Sequence, residues 1–188
     1  MEVYLIRHTR VAVETAICYG QTDVLSADTF EQEAVSLRQR LPYVWEAVYS
    51  SPLGRCTRLL PYFPCALLTQ DERLMEMHFG EWELQPWNAI EPAILKHWSS
   101  DFVNHRVPAG ETYGELYERV VASWEEIVAK GHQGNVAIIA HGGVIRALLA
   151  HLLSIPLLKS FHLDISYGSV SCVQVQAQFS KVLYINRI

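Results

Sequence analysis

Apolar residues run without a break from Val3 to Ile6, and a second unbroken run, Val136 to Ala140, lies much later in the chain. Short apolar runs bounded by polar residues predict buried strands. Glu2–Ile6 and the segment NVAIIAH therefore read as two strands of a covered sheet. Phe30, Ala34, Leu37 and Leu41 recur at helical spacing and predict a helix over Thr29–Leu41 that stops at Pro42. Leu116, Val120, Trp124 and Ile127 share one face of a longer helix over Thr112–Lys130. A further helix, from Val144 to about Leu153, follows the second strand after Gly142-Gly143.

The weaker signals fill the intervals. Ala47–Ser50 and Ala66–Leu68 are strand candidates. Between them SSP marks a helix start, with proline early in the first turn. That helix carries Arg55, Leu59 and Leu60 and ends near Pro61 and Pro64. Residues 10–27 read as an irregular loop, with YGQTDV supplying turn residues. Residues 75–110, rich in Trp, Pro and His, are expected to form short helices in an excursion over the core. Val170–Val175 and Val182–Asn186 close the chain as a hairpin. Strands alternating with helices, then two late strands, predict a three-layer α/β/α fold with helices on both faces of one sheet. A single domain over residues 1–188 accommodates all of it.

Composition narrows the function. The net charge of −5 and the lack of any Lys/Arg cluster argue against nucleic acid as a partner. Val144–Leu158, the longest apolar stretch, is interrupted by Arg146, His151 and Pro156, so no membrane span is expected. Glu2 and Arg7 break up what would be the apolar region of a signal peptide. The cysteines (Cys18, Cys56, Cys65, Cys172) show neither C-x-x-C nor zinc-ligand spacing. Free thiols in a cytoplasmic protein are the expectation.

Candidate chemistry gathers at strand ends. The first strand ends in Arg7-His8 and the later one in His141, the position where open α/β sheets place their sites. Gly142-Gly143 and a helix start follow His141, and helix N-termini attract anions. A third strand end, YSSPLGR, puts Arg55 in the first turn or two of its own helix. Two arginines, two histidines and a helix N-terminus make a phosphate-shaped environment. Guanidinium forks pair with phosphate oxygens, and a neutral imidazole nitrogen can attack phosphorus. The leaving alkoxide then needs a proton, for which LMEMHFGEWE offers Glu76, Glu81 and Glu83. Taken singly, Arg7-His8 is an ordinary surface pair, Glu81 and Glu83 are solvated carboxylates, and Trp82, Trp87 and Trp98 are packing residues. The convergence of four segments carries the argument.

Together LIRHT, SSPLGR, LMEMHFGEWE and AHGGVIR resemble, in order, the motifs R-H-G, S-S-P-L-x-R, L-x-E-x-x-x-G-x-W-E and H-G-G of the histidine phosphatase superfamily, whose fold is phosphoglycerate mutase-like with a mostly parallel sheet. The resemblance spans residues 3–146 and implies roles by position. His8 would be the nucleophile that becomes phosphohistidine, Arg7 and Arg55 the phosphoryl clamp, and His141 a further member of a charged pocket. Glu76 would be the proton donor, and Gly142 would present a backbone N–H to phosphate. No cofactor and no metal are implied. Thr9 stands in place of the motif's glycine. The family's asparagine falls at Glu14, so its phosphate contact is expected to be lost or to come from Tyr19, Gly20 or Gln21, with Glu14 turned away. Met77 stands where mutases of this fold carry arginine. The short chain and E-M-x-F-G-x-W-E look most like the α-ribazole-5′-phosphate phosphatase branch, which serves cobalamin nucleotide-loop assembly. Broad-specificity phosphatases, a phosphoglycerate mutase and a non-catalytic phosphate-ligand binder are the alternatives. The expected partner is a small phosphomonoester, and the hydrophobic late strand admits a homodimer. Tyr19, His78, Trp82 and Tyr113 are candidates for touching the substrate.

Overall fold

Alternate residues of the first strand are buried on opposite sides, and that alternation sets the layers. The computed structural model describes residues 1–176 and 179–188. Its strands and helices, in chain order, are β1 (Glu2–Arg7), β2 (Ile17–Cys18), α1 (Phe30–Gln39), β3 (Trp45–Ser50), α2 (Gly54–Thr57) and β4 (Cys65–Gln70). They continue with β5 (Gln85–Pro86), α3 (Pro92–Ser100), α4 (Tyr113–Ala129), β6 (Asn135–Ala140), α5 (Gly142–Leu152), β7 (Val170–Val175) and β8 (Ser180–Arg187).

Six strands form one sheet in the order β4-β3-β6-β1-β7-β8. β1, β3, β4 and β6 run parallel, and β7 and β8 are antiparallel additions at one edge. Val3 and Leu5 of β1 pack with Leu116, Val120, Trp124 and Ile127 of α4 and with Val144 and Leu148 of α5. Tyr4 and Ile6 face the other way, onto Phe30, Ala34 and Leu37 of α1 and onto Leu59 and Phe63. The predicted three layers are present. α4 starts on a capping box, in which Thr112 and Glu115 each satisfy the other's backbone N–H. Among the described residues no helix is long and apolar enough to cross a membrane.

Two helix boundaries differ from expectation. α5 begins at Gly142 rather than Val144, with extended His141 as its N-cap. The helix after SSP ends at Thr57 and resumes as a 3₁₀ turn over Leu60–Tyr62, where Pro61 removes an N–H. Residues 75–110 do form an excursion, built from 3₁₀ turns at Gly80–Trp82 and Trp87–Ala89 together with α3. Its core is aromatic: the Trp82 and Trp98 rings meet edge to face at 5.4 Å, with Phe79 and Trp87 alongside. β5, in this excursion, pairs with β2, in the loop over residues 10–27.

Candidate active site

Three neighbouring parallel strands, β3, β6 and β1, end on the same side of the sheet, and each delivers a charged or titratable side chain there. His8, one residue beyond β1, is held by backbone bonds from its N–H to the Ala140 carbonyl and from the Gly168 N–H to its own carbonyl. Its Nδ1 lies 2.7 Å from the Thr9 carbonyl oxygen. A carbonyl can only accept, so Nδ1 carries the proton and Nε2 keeps its lone pair. Burial holds the His8 pKa well below the usual histidine value, and the charges of Arg55 and Arg7 push it the same way. His8 is a neutral imidazole with one fixed tautomer.

Arg55 is fully buried. Its Nη2 and Nη1 donate to the carbonyls of Gly20 (2.6 Å) and Thr22 (2.9 Å), and its Nε faces His141 Nδ1 at 3.3 Å. That leaves two of a guanidinium's five N–H groups unspent. His141 Nδ1 is thus an acceptor, and Nε2–H points to Ser51 Oγ at 2.8 Å. Burial lowers the His141 pKa well below the ordinary value, reinforced by His8, Arg55 and Arg7. The arginines carry the fixed positive charge of the pocket, and both imidazoles are held toward the neutral form beside them.

Arg7 lies with its Cζ 3.7 Å from the centroid of the Tyr167 ring and donates from Nη1 to the Ile165 carbonyl at 2.5 Å. Its Nε is buried without a hydrogen-bond partner among the described residues. Glu76 reaches the same place from another direction. Its Oε2 accepts from the Gly143 N–H at 3.1 Å and its Oε1 from the Met77 N–H at 3.0 Å. Gly142 abuts Arg7, since a Cβ built there would lie 3.4 Å from the Arg7 Cζ. The structure therefore brings Arg7, His8, Arg55, Glu76, His141 and Gly142 together. Among the described residues no group of three or more His, Cys, Asp or Glu is placed to hold a metal.

Gly20 and Gln21 border the site in a supporting role. Gly20, at φ +43°, gives its carbonyl to Arg55, and a side chain there would collide with Glu83. Gln21 donates one side-chain amide N–H to the Glu76 carbonyl at 2.9 Å and its backbone N–H to Glu83 at 2.9 Å. Glu14 is exposed and lines a cavity with Tyr19 and Tyr167. Thr9 is buried without a positive φ, which explains how a β-branched residue fits where the motif has glycine. Tyr19 donates to or accepts from the Tyr167 hydroxyl at 2.7 Å. Trp82 is packed in the aromatic cluster, Tyr113 is a core residue bonded to the Gly143 carbonyl, and His78 is exposed.

Four contributors were not visible as such in the sequence. Glu83, expected to be solvated, instead receives the backbone N–H groups of Gln21, Thr22 and Phe79. Arg119 of α4 donates to the carbonyls of Arg73, Met75 and Glu76, pinning the segment that carries the Glu76 carboxyl. Tyr167 stacks on Arg7, and Arg146 approaches from α5. Only Arg146 had a local signal, lying one helical turn after Gly142 within AHGGVIR.

The pattern of the histidine phosphatase superfamily (branch 1) matches residues 3–188. The chain belongs to the histidine phosphatase superfamily. As a superfamily member it is an enzyme of the phosphatase type, as the motifs implied. It is 30% identical, over 99% of its length and 95% of the relative's, to a Hydrogenobacter thermophilus protein provisionally named phosphoserine phosphatase 2. Among solved structures it is similar to YhfR of Bacillus stearothermophilus, at 26% identity and a TM-score of 0.86, covering 97% of this chain and 95% of that one. It also resembles the α-ribazole phosphatase of Shigella flexneri, at 23% identity and a TM-score of 0.89, covering 100% of this chain and 96% of that one. The last likeness establishes the α/β fold of the superfamily and nothing finer.

Proposed function

We propose that this chain is a metal-independent phosphomonoesterase that passes the phosphoryl group through Nε2 of His8. The observation that carries the reading is the His8–Thr9 contact, which fixes the proton on Nδ1 and bares the Nε2 lone pair beside two guanidiniums. In the first step Nε2 attacks phosphorus, the P–O ester bond breaks, and Glu76 gives its proton to the leaving alkoxide. In the second, a water attacks the phosphohistidine, its proton goes to the Glu76 carboxylate, and the P–N bond breaks to release inorganic phosphate. Arg7 and the unspent N–H groups of Arg55 face the charge that builds on the phosphoryl oxygens.

For the leaving group, the E-M-x-F-G-x-W-E resemblance supports α-ribazole 5′-phosphate, and the full-length relative supports a small phosphoamino acid. Met77, buried in the core where mutases of this fold carry arginine, favours hydrolysis over phosphoryl return. A panel containing α-ribazole 5′-phosphate, O-phosphoserine, 3-phosphoglycerate and an aryl phosphate, scored by kcat/KM with and without chelator, tests the reading. The expected result is phosphate release that survives chelation, is abolished by His8→Ala, and passes through an acid-labile, alkali-stable phosphoenzyme. Undiminished turnover by His8→Ala removes His8 from the mechanism, and isomerisation faster than phosphate release replaces hydrolase with mutase.

A further inference from the structure

Arg146 approaches this site with no task in the mechanism and, unlike Arg119, with no bond to the segment that carries Glu76. It lies four residues after Gly142 on α5, and long helical side chains lean back toward the helix N-terminus. A Cβ built on Gly142 would find Arg146 Nη1 at 3.2 Å, Arg7 Cζ at 3.4 Å and Arg7 Nε at 3.5 Å. Two guanidiniums therefore converge on the first turn of α5, next to the residue whose N–H holds Glu76. Arg146 is anchored by a single bond, from Nε to the Leu163 carbonyl at 2.9 Å, and Phe161 flanks it with its ring centroid 5.1 Å away. Its terminal nitrogens have no protein partner among the described residues, and none of their ion pairs includes it.

A half-buried arginine beside another arginine is electrostatically costly. Burial and the Arg7 charge both lower its pKa. Tyr113, Glu76 and Asp164 offset part of this, and an anion at the terminal nitrogens would offset more. The phosphoryl group accounts for one anion, at His8, Arg7 and Arg55. Arg146 is a cation beyond those three residues, and Gly142, having no side chain, lets its guanidinium lie close to that of Arg7.

We propose that Arg146 is a specificity-determining residue that binds a carboxylate carried by the leaving group close to the phosphoester. The substrate class is then a phosphorylated hydroxy acid or hydroxyamino acid with its carboxylate on the carbon bearing the ester or on the next one. A guanidinium fork suits a carboxylate because two parallel N–H groups match its two oxygens. This inference rests on the phosphomonoesterase reading of the same site and adds the charge of the alcohol that the site prefers.

The test compares O-phosphoserine with its methyl ester, which differs mainly in that one charge, alongside an aryl phosphate as a control for phosphatase chemistry. Wild-type enzyme is expected to favour phosphoserine over the methyl ester by tenfold or more in kcat/KM, the range of a charge-assisted hydrogen bond. In Arg146→Gln that ratio falls to within about threefold of unity, and Arg146→Lys restores part of it. Reading a ratio makes the result insensitive to a general loss of active enzyme. A wild-type ratio near one overturns the proposal without recourse to any variant, and an unchanged ratio in Arg146→Gln overturns the role of Arg146. Turnover of the aryl phosphate together with a ratio near one defeats this inference alone. No turnover of any of the three esters defeats the phosphatase reading beneath it.

Discussion

The imidazoles of His8 and His141 meet edge to face with their centroids 5.2 Å apart, and both are held neutral. Burial is the main cause for each. The facing charges, Arg55 and Arg7, act in the same direction, and each ring has a hydrogen-bond partner that fixes its tautomer. A nucleophile that must stay unprotonated is thus kept so by its surroundings.

Stability should report this directly. Below about pH 6.5 an unfolded chain protonates both histidines while the native protein does not, so stability is full above that value and falls with acid. The slope approaches about 1.4 kcal/mol per pH unit for each histidine. Urea midpoints should therefore drop between pH 7.5 and 5.5, and His141→Gln should roughly halve the slope. A flat wild-type profile across that window would contradict the neutral pair.

Arg55 is expected to be intolerant of a like-charged replacement. Its guanidinium spans the Gly20 and Thr22 carbonyls and His141 at once, a geometry that a lysine ammonium cannot reproduce. Arg55→Lys should lower kcat/KM by about a hundredfold or more and reduce the melting temperature. Steady-state kinetics with thermal melts check this; near-native turnover would show that charge alone suffices.

The adjacent glycines at the start of α5 should behave differently. A Cβ at Gly143 would collide with the Glu76 carboxylate, whereas one at Gly142 finds Arg146 and Arg7 at 3.2 and 3.4 Å. Alanine raises helix propensity by up to about 1 kcal/mol over glycine, so neither change need unfold the protein. Gly143→Ala should cut kcat by about tenfold to a hundredfold by displacing Glu76, with the melting temperature maintained. Gly142→Ala should cost less activity, and the reverse order of losses would remove Glu76 from its assigned role.

Glu83 supports a test of the loop that holds Arg55. It accepts backbone N–H groups from Gln21, Thr22 and Phe79, and a glutamine amide offers only one accepting oxygen. Glu83→Gln should destabilise the protein by about 1–3 kcal/mol and raise KM, as measured by denaturant unfolding and kinetics on one ester. Unchanged values for both would make these contacts energetically idle.

Much of this was legible in the sequence where structure is local. The runs at Val3–Ile6 and Val136–Ala140 gave parallel strands, and the Leu116–Val120–Trp124–Ile127 face gave α4. The motif residues His8, Arg55, Glu76 and His141 were legible because short segments carry them to strand ends and turns. Glu83 was misread because two of its partners, Gln21 and Thr22, lie some sixty residues earlier, and no periodicity encodes a side chain reaching a distant loop. Arg119 and Tyr167 were hidden for the same reason. The charge state of His141 depends on burial, which AHGG does not express. Thr9 looked anomalous only until its backbone was known to need no positive φ.

The two-residue ladder between β2 and β5 has an implication for engineering this scaffold. It ties the loop whose carbonyls hold Arg55 to the excursion that carries Glu76 and Glu83. Grafting residues 75–110 from a relative in order to change the preferred alcohol would therefore separate Glu83 from its partners Gln21 and Thr22. The transplantable unit is the pair of segments, 10–27 with 75–110, and a chimera exchanging both should keep its phosphate pocket where one exchanging either alone would lose it.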